Sequence, residues 1–378
     1  MHLAFLTPEF PYTETSRSAG LGNSIKSLIT GLLRKGIKVS VFVYGQNHDA
    51  VHTEGDFKLH IISRPKFRFM GWYLHRKFIQ NYVNKYIDTD RIDALEAPDW
   101  TGVTAFMKLR CSLVLRVHGS DTYFCYLENR PQKKKNFWFE KLAIRNADHI
   151  IAVSNFSAEV TKNLFQLKKE IIVIPNGVDT DFFKPNKEIL PENSILYFGS
   201  IIRKKGILEL AEVFNLISNG DRHITLNIAG NDVVDAITGR STKELFMEKL
   251  STQARKNVKW LGNLDQNHLK NEIAKAKVIV FLSYAEAFPM AWLEAMSMGK
   301  AVVTSNIGWA TEIIKNNITG CMVKPASHHE ASEKIDQLLE NDDKRNEIGV
   351  SARNYILENF SVETIVARNL EFYEKISH

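Results

Sequence analysis

Apolar runs separated by polar, glycine-containing loops recur along this chain and predict alternating strands and helices. The clearest example spans residues 277–305. Its run VIVFLS predicts a strand, the apolar segment after a short loop predicts a helix, and AVVTS predicts the next strand. Pro289 suits the first turn of that helix, and Gly299 suits the residue just past its end. This stretch is therefore predicted to be a βαβ unit.

The same order of elements opens both halves of the chain. Near the N-terminus, LAFLT predicts a strand, the loop at residues 15–22 leads into a helix with one apolar face, and KVSVFVYG predicts the next strand. After a polar, proline-containing linker at residues 184–193, SILYFGS predicts a strand and ILELAEVFNLI a helix. At 378 residues the chain is too long for one typical core. We predict an α/β protein of two domains, divided after residue 185.

Charge is unevenly distributed along the sequence. Residues 1–190 hold 27 lysines and arginines against 19 aspartates and glutamates, whereas the whole chain has a net charge of +6. The basic excess therefore belongs to the N-terminal half. It predicts an anionic partner for that half, such as a membrane surface or a phosphorylated acceptor.

The three cysteines are widely spaced, which argues against a disulfide framework or a structural zinc site and suits a reducing compartment. The N-terminus begins with a core strand and lacks the pattern of a signal peptide. No apolar run approaches the roughly 20 residues that a spanning helix needs. We therefore expect a cytoplasmic protein.

Two glutamates flank the start of the predicted helix in the βαβ unit. Glu286 lies in the loop at the carboxyl end of the strand, and Glu294 lies among apolar residues of the helix. A carboxylate in apolar surroundings needs a partner or a ligand, and a helix N-terminus at this edge of a sheet attracts phosphate. We predict that a nucleotide-sugar diphosphate approaches the segment between the glutamates, with the sugar at Glu286 and the ribose at Glu294. The alternative is a solvated helix face that carries two unrelated glutamates.

A second candidate phosphate site is the corner SIIRKKG at residues 200–206. Arg203, Lys204 and Lys205 stand where a strand leads into a helix, so they can make charge-assisted contacts to two phosphates. A basic triplet is also common on a solvated surface, and that alternative stays open here.

Two segments of the N-terminal half interleave lysine and arginine with aromatic residues, at 64–86 and 130–145. This composition fits the anionic face of a bilayer or nucleic acid. The alternative is a pair of solvated helices that cover their own core. Our hypothesis is peripheral docking at the inner face of a membrane, with no nucleic-acid partner, that brings a lipid-linked acceptor to the protein.

The segment from Glu286 to Glu294 resembles the E-x7-E region of glycosyltransferase family 4, also described as glycosyl transferases group 1, a retaining group with the GT-B fold. Residues 147–185 are similar to a stretch that the same family carries ahead of its hinge. The resemblance covers nearly the whole chain. It implies two Rossmann-like doubly wound domains that face a central cleft, with residues 1–185 binding the acceptor and residues 186–360 the nucleotide sugar. Residues 361–378 would form a helix that packs back on the N-terminal domain.

The resemblance also implies roles for individual residues. Glu286 would meet the donor sugar and Glu294 the ribose. Lys205 matches the end of the family's G-R-x-x-x-x-K-G loop, whereas Ser200 stands at the usual Arg position, so Arg203 is the predicted substitute. The remaining implied contacts are His118 to the donor sugar, Gly20 and Gly22 to donor or acceptor groups, Leu264 to the nucleotide base, and Ala287, Phe288, Pro289 and Met290 to sugar and phosphate through the backbone. Ala287 departs from the glycine that is common there.

The activity that follows is retaining, metal-independent transfer of a sugar from a donor of the UDP or GDP type, used as substrate with no separate cofactor, to a glycan or lipid-linked acceptor. We expect a role in surface polysaccharide synthesis. Two DxD-like triplets, at residues 88–90 and 179–181, are interpreted as turns and not as metal ligands. The alternatives are a glycosidase, a nucleotide-sugar epimerase, and a catalytically silent nucleotide-sugar-binding or scaffold protein.

Overall fold

The computed structural model describes residues 1–15, 20–186, 188–219 and 223–376. The chain forms two compact units. Unit 1 consists of Met1–Gly177 and Val362–His378, and unit 2 consists of Val178–Ser361. No helix within the described ranges combines the length and the apolar composition needed to cross a bilayer.

Unit 1 is built on a sheet that is parallel except at one edge. Its strands are β1 (His2–Thr7), β2 (Lys38–Gln46), β3 (Ala50–Glu54), β4 (Phe57–Ser63), β5 (Ala94–Pro98), β6 (Ser112–Val117), β7 (His149–Ala152) and β8 (Ile172–Val173). Their order in the sheet is β3-β4-β2-β1-β5-β6-β7-β8, with β3 antiparallel to β4. The helices that connect them are α1 (Gly20–Arg34), α2 (Gly71–Asp90), α3 (Asp121–Leu127), α4 (Lys134–Asn146) and α5 (Asn155–Phe165).

Unit 2 is built on a parallel sheet with the order β11-β10-β9-β12-β13-β14. The strands are β9 (Glu192–Phe198), β10 (Thr225–Ala229), β11 (Val258–Gly262), β12 (Ala276–Phe281), β13 (Ala301–Ser305) and β14 (Cys321–Val323). The helices are α6 (Ile207–Ile217), α7 (Thr242–Lys249), α8 (Thr252–Arg255), α9 (Gln266–Lys275), α10 (Met290–Ser297), α11 (Ala310–Ile313), α12 (His328–Glu340) and α13 (Asp342–Asn359). The last helix of the chain, α14 (Val362–Ile376), belongs to unit 1.

The predicted βαβ unit at residues 277–305 is confirmed as β12, α10 and β13. Its strands are buried on both faces, as expected for a parallel sheet covered by helices. Gly299 follows the helix with a φ of 68°, a left-handed conformation that glycine adopts without steric cost. Pro289 directly precedes the helix as its N-cap residue.

The order of strands in unit 2 reverses between β9 and β12. From β9 the chain adds β10 and then β11 on one side, and it next returns to place β12 on the other side of β9. Such a reversal opens a crevice at the carboxyl ends of the two central strands, because the connections leave them in opposite directions. The loops that follow β9 and β12 therefore flank the crevice.

The division between the units falls after Gly177, whereas the sequence analysis placed it after residue 185. The intervening segment is held by unit 2. Ser297 Oγ donates a hydrogen bond to the carbonyl oxygen of Phe183 at 2.6 Å, and Arg353 Nη1 donates to the same oxygen at 3.3 Å. Phe183 itself is buried.

Helix α14 completes the core of unit 1. Its apolar face packs in one cluster with residues of β1, β2 and α1, through the side chains of Val362, Ile365, Val366, Phe372 and Tyr373. Helix α1 presents Ile25, Ile29 and Leu32 to the same cluster. The first and last segments of the chain are thus packed together.

Candidate functional site

The corner between β9 and α6 is shaped by a glycine that approaches the neighbouring loop. Arg203–Lys205 form one 3-10 turn, and Gly206 follows it with a φ of 69°. A Cβ on Gly206 would lie 1.8 Å from the carbonyl oxygen of Leu282, which follows β12. Only glycine fits this position, so the corner after β9 packs directly on the loop after β12.

Lys205 and Glu286 meet where these two loops touch. Tyr284 N donates to the carbonyl oxygen of Lys204 at 2.8 Å, which fixes one loop on the other. Lys205 Nζ lies 3.3 Å from Glu286 Oε1, and the two side chains are 24% and 13% exposed. Ser283 Oγ also lies 3.5 Å from this carboxylate oxygen. Both charged groups are therefore held in place and keep some contact with solvent.

Glu294 lies on α10 with only 8% of its surface exposed. Burial raises the pKa of its carboxyl group to about 7, and the positive charge of Lys205 opposes this rise. Among the described residues, no hydrogen bond to this carboxylate adds to these two effects. A buried carboxyl group without a partner is costly, so hydroxyl groups of a ligand would stabilise it here.

Arg203 is turned towards a carboxylate that the sequence analysis did not single out. Its Nε and Nη2 donate to Asp235 Oδ1 and Oδ2 at 2.8 and 2.9 Å. Asp235 Oδ2 also accepts hydrogen bonds from the amide and hydroxyl of Thr238. The bond from Arg203 is the largest cause that lowers the pKa of Asp235. The guanidinium is therefore fixed by this pair, with Nη1 left outside it.

Asp235 could have been found from its position. It lies in the loop after β10, which is the strand next to β9. Polar residues in strand-end loops of a parallel sheet meet at one edge, so this loop was a candidate for contacts with the basic corner. Its pairing with Arg203 depends on the strand order, which the sequence does not show.

The other residues predicted to contact the nucleotide-sugar donor lie at several positions around the same sheet edge. Ala287 and Phe288 are buried before α10, and Met290 is its first residue. The first amides of a helix have no partner within the helix, which leaves this end suited to an anion. Leu264 lies just past β11, and β10 separates that strand from β9.

In unit 1, His118 follows β6 in a strand-end loop. Its amide donates to Asp99 Oδ1 at 3.0 Å. Burial, and then the charge of Arg116, lower the pKa of His118 to about 3, so its ring is neutral near pH 7. Burial also raises the pKa of Asp99 to about 7.

The glycine-containing loop before α1 is described only in part, because residues 16–19 lie outside the described ranges. Gly20 begins α1, and a Cβ there would meet nothing within 4 Å. The amide of Gly22 donates to Glu9 Oε1 at 2.9 Å. The predicted ligand contacts of both glycines stay predictions.

A buried polar network near His118 was missed by the sequence analysis. Arg116 Nε and Nη2 donate to Glu96 Oε1 and Oε2 at 2.7 and 2.8 Å, and Nη2 also donates to Asn369 Oδ1 at 2.6 Å. The hydroxyl of Tyr373 donates to the same carboxylate. The network borders a cavity of about 10 Å³, which is the volume for about one water molecule. Since two members come from α14, the network binds that helix to the sheet of unit 1.

Acidic residues of the two DxD-like triplets form ion pairs or hydrogen bonds with other residues of the protein. Asp90 pairs with Lys58 at 2.7 Å, Asp88 pairs with Arg110, and Asp179 Oδ1 accepts from the amide of Asp181. Across the described ranges, no three potential ligands among His, Cys, Asp and Glu cluster in a way that could hold a metal ion.

Comparison with known proteins matches two sequence families to successive parts of the chain. The family described as Glycosyltransferase Family 4 matches residues 18–182, and the family described as Glycosyl transferases group 1 matches residues 178–355. Among relatives, the alpha-maltose-1-phosphate synthase of Mycolicibacterium smegmatis is 29% identical over all of both chains. The capsular polysaccharide biosynthesis glycosyltransferase CapM of Staphylococcus aureus is 26% identical over 61% of this chain and 62% of its own.

Solved structures share the fold over the whole chain. Sucrose-phosphate synthase from Thermosynechococcus elongatus superposes with a TM-score of 0.82 at 18% identity, and the match covers 99% of this chain and 98% of that one. Anabaena HepE in complex with UDP-glucose superposes with a TM-score of 0.74 at 19% identity, with 99% and 100% covered.

Proposed function

Because the chain belongs to glycosyltransferase family 4 with the GT-B fold, we propose that it is a retaining enzyme that moves a sugar from a nucleoside diphosphate sugar to a glycan or lipid-linked acceptor. One observation carries the donor assignment. Lys205 pairs with Glu286, and its charge reaches Glu294, at the point where the strand order of unit 2 reverses. Open α/β sheets bind nucleotides at such a reversal.

The proposed chemistry is stabilisation of separating charges. As the glycosidic bond breaks, negative charge grows on the diphosphate and positive charge on the sugar ring. Lys205 and the first amides of α10 stabilise the diphosphate, because they are already oriented before the reaction. Glu286 orients the sugar hydroxyls, and Glu294 accepts a hydrogen bond from the ribose.

Arg203 and His118 have supporting roles in this proposal. Asp235 holds the Arg203 guanidinium in one orientation through Nε and Nη2, and Nη1, which lies outside this pair, would add positive charge near the phosphates. His118, which is neutral near pH 7, acts as a hydrogen-bonding group for the sugar and not as a cation.

We propose that the reaction needs no divalent metal, since a lysine and a helix N-terminus supply the positive charge at the phosphates. The expected result is an unchanged rate of transfer after treatment with EDTA. A rate that falls with EDTA and recovers on addition of Mg²⁺ would contradict metal independence without affecting the donor assignment.

The donor is proposed to carry UDP or GDP. UDP-glucose is the first donor to test, since the structurally similar HepE was solved with it. The proposed role in surface polysaccharide synthesis is supported by the name of the relative CapM and by the basic N-terminal half.

We also propose that the protein docks at the inner, cytoplasmic face of a membrane. Phe69 is 73% exposed and Trp138 is 57% exposed, and both lie in the segments that interleave basic and aromatic residues. Such side chains favour the interface of an anionic bilayer. Co-sedimentation with anionic liposomes is expected to weaken with salt and on replacing Lys133 and Lys134 by Gln. Liposome binding that is unaffected by salt and by the lysine replacements would contradict this part of the proposal.

The activity is tested by release of nucleoside diphosphate from a panel of donors that includes UDP-glucose and GDP-mannose. Lys205→Ala is expected to lower kcat by about 100-fold or more, because it removes a group that stabilises the leaving diphosphate. Lys256→Ala, an exposed lysine of the same unit, serves as the control. NMR of the product is expected to show the anomeric configuration of the donor.

Three results would favour other functions. Donor binding without turnover over a broad acceptor panel would indicate a silent binding protein. A changed sugar stereochemistry on an intact nucleotide would indicate an epimerase. Release of a free sugar from a glycan without any nucleotide would indicate a glycosidase.

A further inference from the structure

Unit 1 contains a large cavity that the proposed donor chemistry does not use. Its volume is about 1110 Å³, and we call it the basic cavity. It lies beyond the carboxyl ends of β2 and β4, and its walls come from the loop after β4, from α2 and from α4. The two basic-aromatic segments of the sequence therefore meet at one place. Carboxyl ends of parallel strands are where α/β sheets bind ligands.

The charge that lines the basic cavity is of one sign. Its walls include Arg64, Lys66, Arg76 and Lys135, and none of the described residues that line it is an Asp or a Glu. None of these four cations forms an ion pair with any residue in the described part of the chain. The cavity therefore holds a positive potential that the residues around it do not neutralise.

Arg76 is the strongest sign that an anion belongs there. It is only 9% exposed, and its guanidinium donates hydrogen bonds to the carbonyl oxygens of Trp72, Thr101 and Gly102. Burial lowers its pKa, and the interaction with Tyr44 opposes this effect in part. A buried cation whose hydrogen bonds all go to carbonyl oxygens keeps its net charge and gains from an anion nearby.

An aromatic surface stands beside these charges. Trp72 stacks on Phe139 with ring centroids 5.1 Å apart, and Arg76 lies over Phe139 at 4.2 Å. Lys135 Nζ lies 5.9 Å from the ring of Trp72, which is 38% exposed. An exposed aromatic face next to cations suits a ligand with an apolar ring face and an attached anion.

We infer that the basic cavity binds a phosphorylated sugar as acceptor, with the phosphate among Arg64, Lys66 and Lys135 and the sugar ring against Trp72. This inference rests on the proposed function, because it names the acceptor class of the same transferase. The site is concave and has room for a small ligand, which a flat patch that attracts a membrane surface would not provide. The phosphate can belong to a soluble sugar phosphate or to a lipid-linked sugar, and the chemistry of recognition is the same.

The test measures binding to the full-length protein by calorimetry, with glucose 1-phosphate, glucose and inorganic phosphate as probes. Glucose 1-phosphate is expected to bind more tightly than either other probe, and its affinity should fall with added salt. Arg64→Gln and Lys135→Gln should each weaken it by about tenfold, the effect of losing one charged hydrogen bond. Lys85→Gln, an exposed lysine of α2 that does not line the cavity, should leave it unchanged.

The ring contact is tested by Trp72→Ala. This variant should bind glucose 1-phosphate more weakly and inorganic phosphate with unchanged affinity. Tyr126 is an exposed aromatic residue outside the cavity, and Tyr126→Ala should change neither affinity. A second arm uses phosphatidylcholine vesicles with and without a polyisoprenyl phosphate sugar. Binding only in the vesicle arm, with the same loss in Arg64→Gln, would identify the lipid-linked source.

Three outcomes would overturn the inference. They are equal affinity for glucose and glucose 1-phosphate, no binding in either arm, and equal affinities in wild type and the cavity variants. These failures are separable from failure of the proposed function. If Lys205→Ala lowers the release of nucleoside diphosphate but Arg64→Gln leaves binding of glucose 1-phosphate unchanged, only the role of the basic cavity is rejected. Loss of binding in Arg64→Gln in a protein that turns over no donor would reject only the transferase mechanism.

Discussion

Four charged residues of unit 2 differ in how tightly the fold restrains them. Lys205 and Glu286 form a partly exposed pair that a ligand can reach. Arg203 is fixed by Asp235 through two hydrogen bonds. Among the described residues, no donor gives the Glu294 carboxylate a hydrogen bond, and only 8% of this residue is exposed. The sequence predicted that these residues bear charge near one sheet edge, but it could not show which charges neutralise each other.

Replacing Glu294 by Gln should remove a pH-dependent loss of stability. The carboxyl group has a pKa of about 7 in the folded protein against an ordinary value of 4.5. The neutral carboxyl group stabilises the fold fully when the pH is below the pKa of the unfolded state. This stabilisation is lost as the pH rises through the pKa of the folded state. The loss between about pH 5 and about pH 8 should be about 2 kcal/mol in the free energy of unfolding.

Urea unfolding at both pH values measures this difference between wild type and variant. Glu347→Gln, an exposed carboxylate of the same unit, is the control and should not change the pH dependence. A wild type that loses no stability relative to Glu294→Gln at the higher pH would contradict the assigned burial.

His118 should stay neutral through the physiological range. Its pKa is about 3 against an ordinary value of 6.5, because burial and the charge of Arg116 disfavour the imidazolium. NMR titration of its ring protons, assigned with His118→Asn, should show no protonation between about pH 5 and about pH 8. A titration midpoint near the ordinary value would mean that the ring can carry a charge in the reaction.

At the scale of elements, the contact between the loops after β9 and β12 defines the candidate site. The sequence predicted each strand, corner and helix around it, since each has a clear apolar pattern and a glycine or proline at its boundary. It did not predict that β9 and β12 are neighbours, because strand order is set by long-range pairing. The short β8 is a related case. The apolar run at residues 171–174 is typical of a longer strand, whereas only Ile172–Val173 pairs, at the edge of the sheet.

Gly206→Ala should separate these two loops. The added Cβ would lie 1.8 Å from the carbonyl oxygen of Leu282, so the backbone must move. Gly239→Ala is a matched control, because its φ of 70° is nearly the same and a Cβ there meets nothing within 4 Å. The control should cost about 1 kcal/mol for the left-handed backbone. Gly206→Ala should cost several times as much and should also weaken donor binding.

Urea unfolding and calorimetric donor titration provide the two readouts for this pair of variants. Equal losses of stability in the two variants would show that the close approach at Leu282 is not needed for the fold. Donor affinity that survives Gly206→Ala would show that the loop contact does not organise the site.

At the scale of the whole molecule, α14 returns the end of the chain to unit 1, and the network of Glu96, Arg116, Asn369 and Tyr373 holds it there. The sequence gives no direct sign of this network, since its members lie far apart in the chain. The basic cavity is another feature that the sequence could not predict, because its walls come from segments far apart in the chain. Two basic-aromatic segments were recognisable, but only the fold shows that they line one cavity.

Breaking the buried ion pair should destabilise unit 1 strongly. Arg116→Met leaves the Glu96 carboxylate buried without its partner, which should cost about 3–5 kcal/mol. The double variant Arg116→Met/Glu96→Leu should recover most of this loss, because no buried charge is then left unpaired. The exposed pair of Lys375 and Glu371 provides the control, and Lys375→Met should cost far less than Arg116→Met.

Chemical denaturation of the four proteins gives these differences. A cost for Arg116→Met as small as that for Lys375→Met would contradict the role of the network in holding α14. A double variant no more stable than Arg116→Met would show that packing of the arginine, and not its charge, is the main contribution.

The central claim concerns where the diphosphate of the donor binds, and a crystal structure with a bound nucleoside diphosphate tests it most directly. The nucleotide is chosen by thermal shift from UDP, GDP and ADP. We expect the diphosphate within hydrogen-bond distance of Lys205 Nζ and of the first amides of α10, with the ribose hydroxyls at the Glu294 carboxyl. A diphosphate bound away from the β9 and β12 loops, with Lys205 still paired to Glu286 as in the free protein, would contradict the claim.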